Sequence, residues 1–120
     1  MTASDALLDF KGVIARAITD AMYREKPDLL ERYGEVGRVR CHEDMHFNLE
    51  HLAPAVALGE PALFARYVVW LRDMLAARNV PVDDVRRSLE LTKQMVREHL
   101  PEHADVISDV VNAGIAALDT

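Results

Sequence analysis

The chain has a single cysteine, Cys41, in 120 residues. One thiol cannot close an internal disulfide, which fits a reducing compartment. Glycine and proline number five each and no Ser/Gln-rich tract occurs, so the composition argues against disorder. No run of eighteen apolar residues is present, which leaves no candidate membrane span. The opening Met1-Thr2-Ala3-Ser4-Asp5 lacks a basic stretch followed by an apolar block, so a cytoplasmic location is expected. Positive charge is also scarce: 14 Lys and Arg against 20 Asp and Glu give −6. A general nucleic-acid binder normally carries a basic surface, so neither nucleic acid nor membrane is an expected partner. Half the residues are apolar, enough for one modest core, and residues 1–120 read as a single domain.

The apolar residues recur with a helical period, and no stretch alternates long enough for a strand. The fold class expected is all-α, with five to six helices joined by short links. Ser4 is the expected N-cap of a first helix of about twenty residues, with Leu7, Phe10, Ile14, Ala17, Ile18 and Ala21 on one face. Lys26-Pro27 stops it. A short turn through Leu29, Leu30 and Tyr33 follows, broken by Gly34 and Gly37. A second long helix is expected from about Arg38 to Leu58, bent at Pro54 and stopped by Gly59. Pro61 opens a third, with Phe64, Tyr67 and Trp70 as core packing. Pro81 opens a fourth, where Asp83-Asp84 and Arg86-Arg87 read as a solvated face. Pro101 ends it, and Glu102 to Leu118 closes the chain with Val106, Ile107, Val110, Ile115 and Leu118 inward.

The most unusual composition is Arg38-Val39-Arg40-Cys41-His42-Glu43-Asp44-Met45-His46-Phe47. Metal is one reading. His42 and His46 share a helical stripe with Glu50, and His99 and His103 form a second pair across Pro101. An alternative of the same class uses His42, His46 and His51 for a metal or for haem. The helix after them contains no histidine, which argues against an ordinary haem globin. Nucleophilic catalysis by Cys41 is disfavoured, because Cys41 and His42 point about 100° apart on a helix. No Gly-rich oxyanion loop is present either. A ligand clamp is the third reading. Cys41 and Asp44 are three apart and so lie on one face. A thiol one turn from a carboxylate suits an open-chain tetrapyrrole, with a vinyl or ethylidene edge for the sulfur and converging pyrrole N–H groups for the carboxylate.

The surrounding chain resembles the phycobiliprotein subunits, a branch of the globin-like superfamily. Cys41-His42-Glu43-Asp44-Met45-His46-Phe47-Asn48-Leu49 is similar to that family's Cys-x-x-Asp-Met-x-Tyr-x-Leu segment. Ala55-Val56-Ala57-Leu58-Gly59-Glu60 resembles its Ala-x-x-Ala-Gly-Asp turn. Leu71-Arg72-Asp73-Met74-Leu75-Ala76-Ala77-Arg78-Asn79-Val80-Pro81 resembles its Leu-Arg-Glu-Met-Tyr-x-x-Leu-Gly-Val-Pro stretch. Lys26-Pro27-Asp28-Leu29-Leu30 and Tyr33-Gly34 sit where the family has a Pro-Glu-Leu and Gly turn. The agreement is colinear over roughly residues 21 to 96.

The resemblance implies a globin-like, non-enzymatic protein that binds or delivers a bilin of the biliverdin or phycocyanobilin type. Cys41 would carry a thioether and Asp44 would accept from the central pyrrole nitrogens. Arg38, Arg40 and Arg72 would answer the propionates, and Phe47, Tyr67 and Trp70 would line the pocket. Two departures stand out: Glu43 where the family has a base, and Phe47 where it has tyrosine. The family's N-terminal antenna-assembly helical pair has no room before the Cys41 helix, so antenna stacks are not expected. Short bacterial homologues associated with bilin biosynthesis are the nearest pattern, with bilin-forming enzymes as further partners. A homodimer is expected. The alternative from another class is a ligand-free sensory or interaction module, in which Phe47, Phe64 and Trp70 fill the groove.

Overall fold

The first helix is capped two residues earlier than Ser4. In the computed structural model, which describes residues 1–120, the Thr2 hydroxyl accepts a hydrogen bond from the Asp5 N–H at 3.1 Å and so caps α1, Ala3–Asp9. The expected twenty-residue helix is two helices. The chain leaves helical geometry at Phe10 (φ −99°, ψ 5°) before α2, Lys11–Glu25. No glycine or proline marks this break. Hydrogen bonds from Phe10 N–H to Ala6 and from Ile14 N–H to Phe10 bridge it at 3.0 and 2.9 Å. The reason is tertiary: α1 packs on the third helix, whereas α2 packs on both the third and the fifth. One straight helix could not follow both directions.

The third helix, α3, spans Asp28–Leu58 and contains one non-helical residue, Gly34, at φ 67° and ψ −173°. That is left-handed backbone, where a Cβ is penalised. Gly37 is helical rather than a second break. A Cβ there would sit 2.3 Å from Cβ of Tyr33, so the folded-back Tyr33 requires glycine opposite it. Pro54 lies within α3 with helical φ/ψ, and the kink in α3 is at Gly34. Gly59 closes α3 in left-handed conformation, its N–H bonded to Val56 O.

Pro61 occupies the first turn of α4, Pro61–Ala76, as expected. After it, α5 spans Val82–His99, a short 3-10 turn spans Pro101–His103, and α6 spans Ala104–Ala117. Phe64, Val68, Leu71 and Leu75 are the buried stripe of α4, and Trp70 is not among them. Val106 likewise faces out while Ile107, Val110 and Val111 face in. Three buried hydroxyls return their protons to their own helices: Thr19 to Ala15 O, Ser88 to Val85 O and Thr92 to Ser88 O, at 2.7 to 2.9 Å. Such pairing removes most of the penalty of placing them in an apolar core. The result is an all-α, globin-like layering, 40 × 29 × 18 Å, with no helix long and apolar enough to cross a membrane.

α4 and α6 pack tightly at Gly114, where an added Cβ would meet Phe64 and Val68 side chains at 2.8 to 2.9 Å. Gly-to-Ala in a helix normally gains up to about 1 kcal/mol. Overpacking a core usually costs about 1–3 kcal/mol. Gly114→Ala is therefore expected to lower stability in urea unfolding. Gly12→Ala, whose Cβ meets only His46 at an ordinary 3.8 Å, is expected to raise it. Equal effects from the two substitutions would contradict this packing.

Candidate functional site

A cavity of about 280 Å³, open to solvent on one side, lies between the end of α2, the first half of α3, the chain leaving α4 and the first turns of α5. The kink at Gly34 creates its outer wall. It turns residues 28–33 across the opening, and Leu29, Tyr33 and Val36 line that side. The Tyr33 hydroxyl donates to Asn79 O at 3.3 Å and ties this wall to the loop after α4. That loop turns through Asn79, the one non-glycine residue with positive φ, at 64°. Met22, Met45, Leu75 and Val85 supply the apolar floor.

Cys41 and Asp44 both line this cavity, one helical turn apart, with Arg40 beside them. Burial pushes the Cys41 thiol up to about 11. The nearby Asp44 and Asp84 charges add to the rise, and the Thr19 hydroxyl and Arg38 oppose it. The thiol is thus protonated at neutral pH. Burial also raises Asp44, and Glu43 raises it further, while Arg78 and Arg40 pull it back. The Glu43 that replaces the family's base therefore acts against an ionised Asp44. Arg78, in the turn that follows α4, lines the cavity and has the larger restraining influence.

The other sequence candidates stand elsewhere. The Arg38 guanidinium donates to Asp20 at 2.6 Å and lies 5.0 Å from the Tyr23 ring centroid, behind the cavity wall. Arg72 is held by Asp73 at 2.9 Å and donates to the Leu118 and Thr120 carbonyls at 3.4 and 2.8 Å. It therefore clamps the C-terminal residues. Phe47 and Trp70 are each 52% exposed, so neither fills a groove nor serves as core. They flank a stack on the α3–α4 face in which the His51 ring lies 5.0 Å from Phe47 and 4.1 Å from Tyr67. The Tyr67 hydroxyl donates to the buried Asn48 at 2.5 Å. Tyr67 borders Asp44 without lining the cavity, and burial, followed by the Asp44 charge, raises its phenol.

The three histidines do not converge on a metal or haem iron. His42 meets His46 edge to face at 4.7 Å, whereas His51 hydrogen-bonds Phe47 O through Nδ1 and stacks on Tyr67. No group of three His, Cys, Asp or Glu side chains in the chain is arranged to hold a metal ion. Burial, then His42 and Lys11, lowers His46, so it is neutral at pH 7. The His99/His103 pair is split by the end of α5 at His99.

Two site residues escaped the sequence. Arg78 stood among alanines at a helix end, and only its place before a turn hinted that its charge faces back along α4. Asp84 looked like a solvated first-turn acid. Its side chain is instead 5% exposed, paired with Lys26, and part of the cavity lining. The neighbouring arginines pair outside the cavity, Arg86 with Asp119 and Arg87 with Glu25.

No curated protein matches the chain. A family model described as "Phycobilisome protein" matches residues 2–118. The match extends well beyond the colinear segments on either side of Cys41 and spans all six α-helices. The chain therefore belongs to the phycobilisome protein family.

Proposed function

We propose that this protein is a non-enzymatic carrier of an open-chain tetrapyrrole, either holding the pigment or delivering it. The observation that carries the reading is one wall of one cavity: the only thiol and a carboxyl group with no hydrogen-bond or ion-pair partner within the chain, a helical turn apart, with two arginines beside them. A half-buried carboxyl raised by desolvation is a costly feature unless donors are to meet it. The converging N–H groups of a bilin are such donors. The donor set fits the group that family membership implies. Cys41 would hold it by a thioether, Asp44 would face its pyrrole nitrogens, and Arg40 and Arg78 would take its propionates in place of Arg38 and Arg72. When bound, a bilin supplies visible absorption and an unsaturated edge for the sulfur.

The cavity is slightly smaller than the roughly 300–1,000 Å³ of typical small-molecule sites. Because it is open on one side, the protein would enclose the Cys41–Asp44 edge of the ligand and leave the rest at the surface. Residues 28–33 shield that edge from water. The same reading includes bilin-forming enzymes as donors of the ligand. It also includes a homodimer, supported by Leu8, Phe10 and Val13 at 40% to 52% exposure on α1 and α2.

Mixing the purified protein with biliverdin or phycocyanobilin is expected to red-shift and sharpen the visible spectrum. Asp44→Asn should weaken binding about tenfold, through loss of a charge-assisted hydrogen bond. An unchanged spectrum with both pigments would overturn the reading. Without ligand, the same substitution is expected to raise stability slightly at pH 7. A carboxyl raised in the folded state contributes stability at low pH and loses it as pH rises through its folded value. The advantage of Asn should therefore shrink as pH falls through the acid range and Asp44 takes up its proton, and thermal melts across that range check this.

Because Cys41 sits at about 11, its alkylation by iodoacetamide at pH 7 is expected to be roughly a hundredfold slower than for a free thiol. The rate should climb through pH 10. Labelling at the ordinary rate would contradict the burial of this thiol.

A further inference from the structure

Asp84 is the charged group of the cavity that the bilin reading leaves unused. Its side chain is 5% exposed, while the Lys26 that pairs with it through Oδ1 at 2.5 Å is 49% exposed. The lysine reaches in from solvent at the end of α2, and the carboxylate is on the cavity side, in the first turn of α5. The positive end of an eighteen-residue helix favours a negative charge at that position.

A purely structural role does not explain the depth. The ends of α2 and α5 are already joined close by, one residue away on α2 and three on α5, by Arg87 donating to both Glu25 oxygens at 2.9 and 2.8 Å. That pair is largely solvated. A second pair with its acid turned into a cavity incurs a desolvation cost that an exposed pair avoids.

Resting on the bilin reading, we propose that Asp84 is a second counter-charge of the site, which together with Asp44 favours a ligand whose N–H edge carries a proton, and that Lys26 sets how much of that charge the ligand meets. The cavity then has a polarity. Arg40 and Arg78 lie on the Asp44 side, where acidic substituents are welcome. The Cys41 thiol lines the same cavity and feels both Asp44 and Asp84. The remaining titratable groups facing the cavity are Tyr23 from α2 and Tyr33 from α3. Burial and Cys41 raise Tyr23, so it stays neutral through the physiological range. The ligand's proton therefore answers to Asp44 and Asp84 against Lys26, Arg40 and Arg78.

Two variants break the same ion pair with opposite consequences for charge. The full chain loaded with biliverdin is titrated from pH 5 to pH 10 and its visible spectrum recorded. Asp84→Asn is expected to lower the midpoint at which the bound pigment loses its proton, by about one pH unit. Lys26→Met bares the carboxylate and is expected to raise that midpoint. In the ligand-free chain, the pH midpoint of Cys41 alkylation should move in the same two directions. Pigment midpoints that stay fixed or shift together would make Asp84 a strut and overturn the proposal, even if the thiol responds. If wild-type protein leaves the biliverdin spectrum unchanged, the bilin reading itself fails and this one with it. Lys26→Met alters only a half-exposed side chain, so it carries the test alone if Asp84→Asn fails to fold.

Discussion

Gly34 holds its backbone at φ 67°, and the cavity depends on that single dihedral. A regular helix through this position would carry residues 28–33 straight on, away from α5, and the groove beside Cys41 would lie open. The reversal brings Tyr33 back over Gly37 and within reach of Asn79 O. Wall and tether thus follow from one residue that tolerates a left-handed conformation. The opposite side of the molecule has no such device. There α4 and α6 close on each other at Gly114, with no room for even an added Cβ.

The two carboxylates of the cavity illustrate a division between stability and use. Asp84 has a lysine and a helix N-terminus to balance its charge. Asp44 has only the through-space influence of Arg78 and Arg40, with no hydrogen bond to either, and Glu43 works against it. A protein selected for stability alone would place an apolar side chain at position 44, since burial of an unpaired carboxyl is unfavourable. Its retention beside the only thiol is the kind of local inconsistency that marks a site meant to be completed from outside.

Much of this architecture was legible in the sequence. The helical period and the punctuation by Pro27, Gly59, Pro61, Pro81 and Pro101 fixed the element order. Helix spacing alone brought Cys41 and Asp44 to one face. What escaped has identifiable physical causes. Phe10 carries no helix-breaking chemistry, because the break between α1 and α2 comes from what each helix packs against. Phe47 and Trp70 are large aromatics that transfer statistics favour inside, yet here they form the two ends of a surface row with His51 and Tyr67 between. Arg38 and Arg72 had the right charge and the wrong partners, Asp20 and the C-terminal carbonyls. Asp84 shows the reverse error, since an Asp-Asp pair opening a helix looks solvated until the partner across the fold is known.

The same surface aromatics have an optical consequence. Trp70 is the chain's only tryptophan, half in water, with Tyr67 at 5.7 Å between ring centroids. Ultraviolet emission from this protein therefore reports on the α3–α4 flank rather than on the interior. Tyrosine excitation will drain into that indole. Anything that settles against the flank will shift the emission to the blue, while changes confined to the far side will register only through dipolar transfer. The molecule thus carries a native fluorescent gauge of its outer contacts.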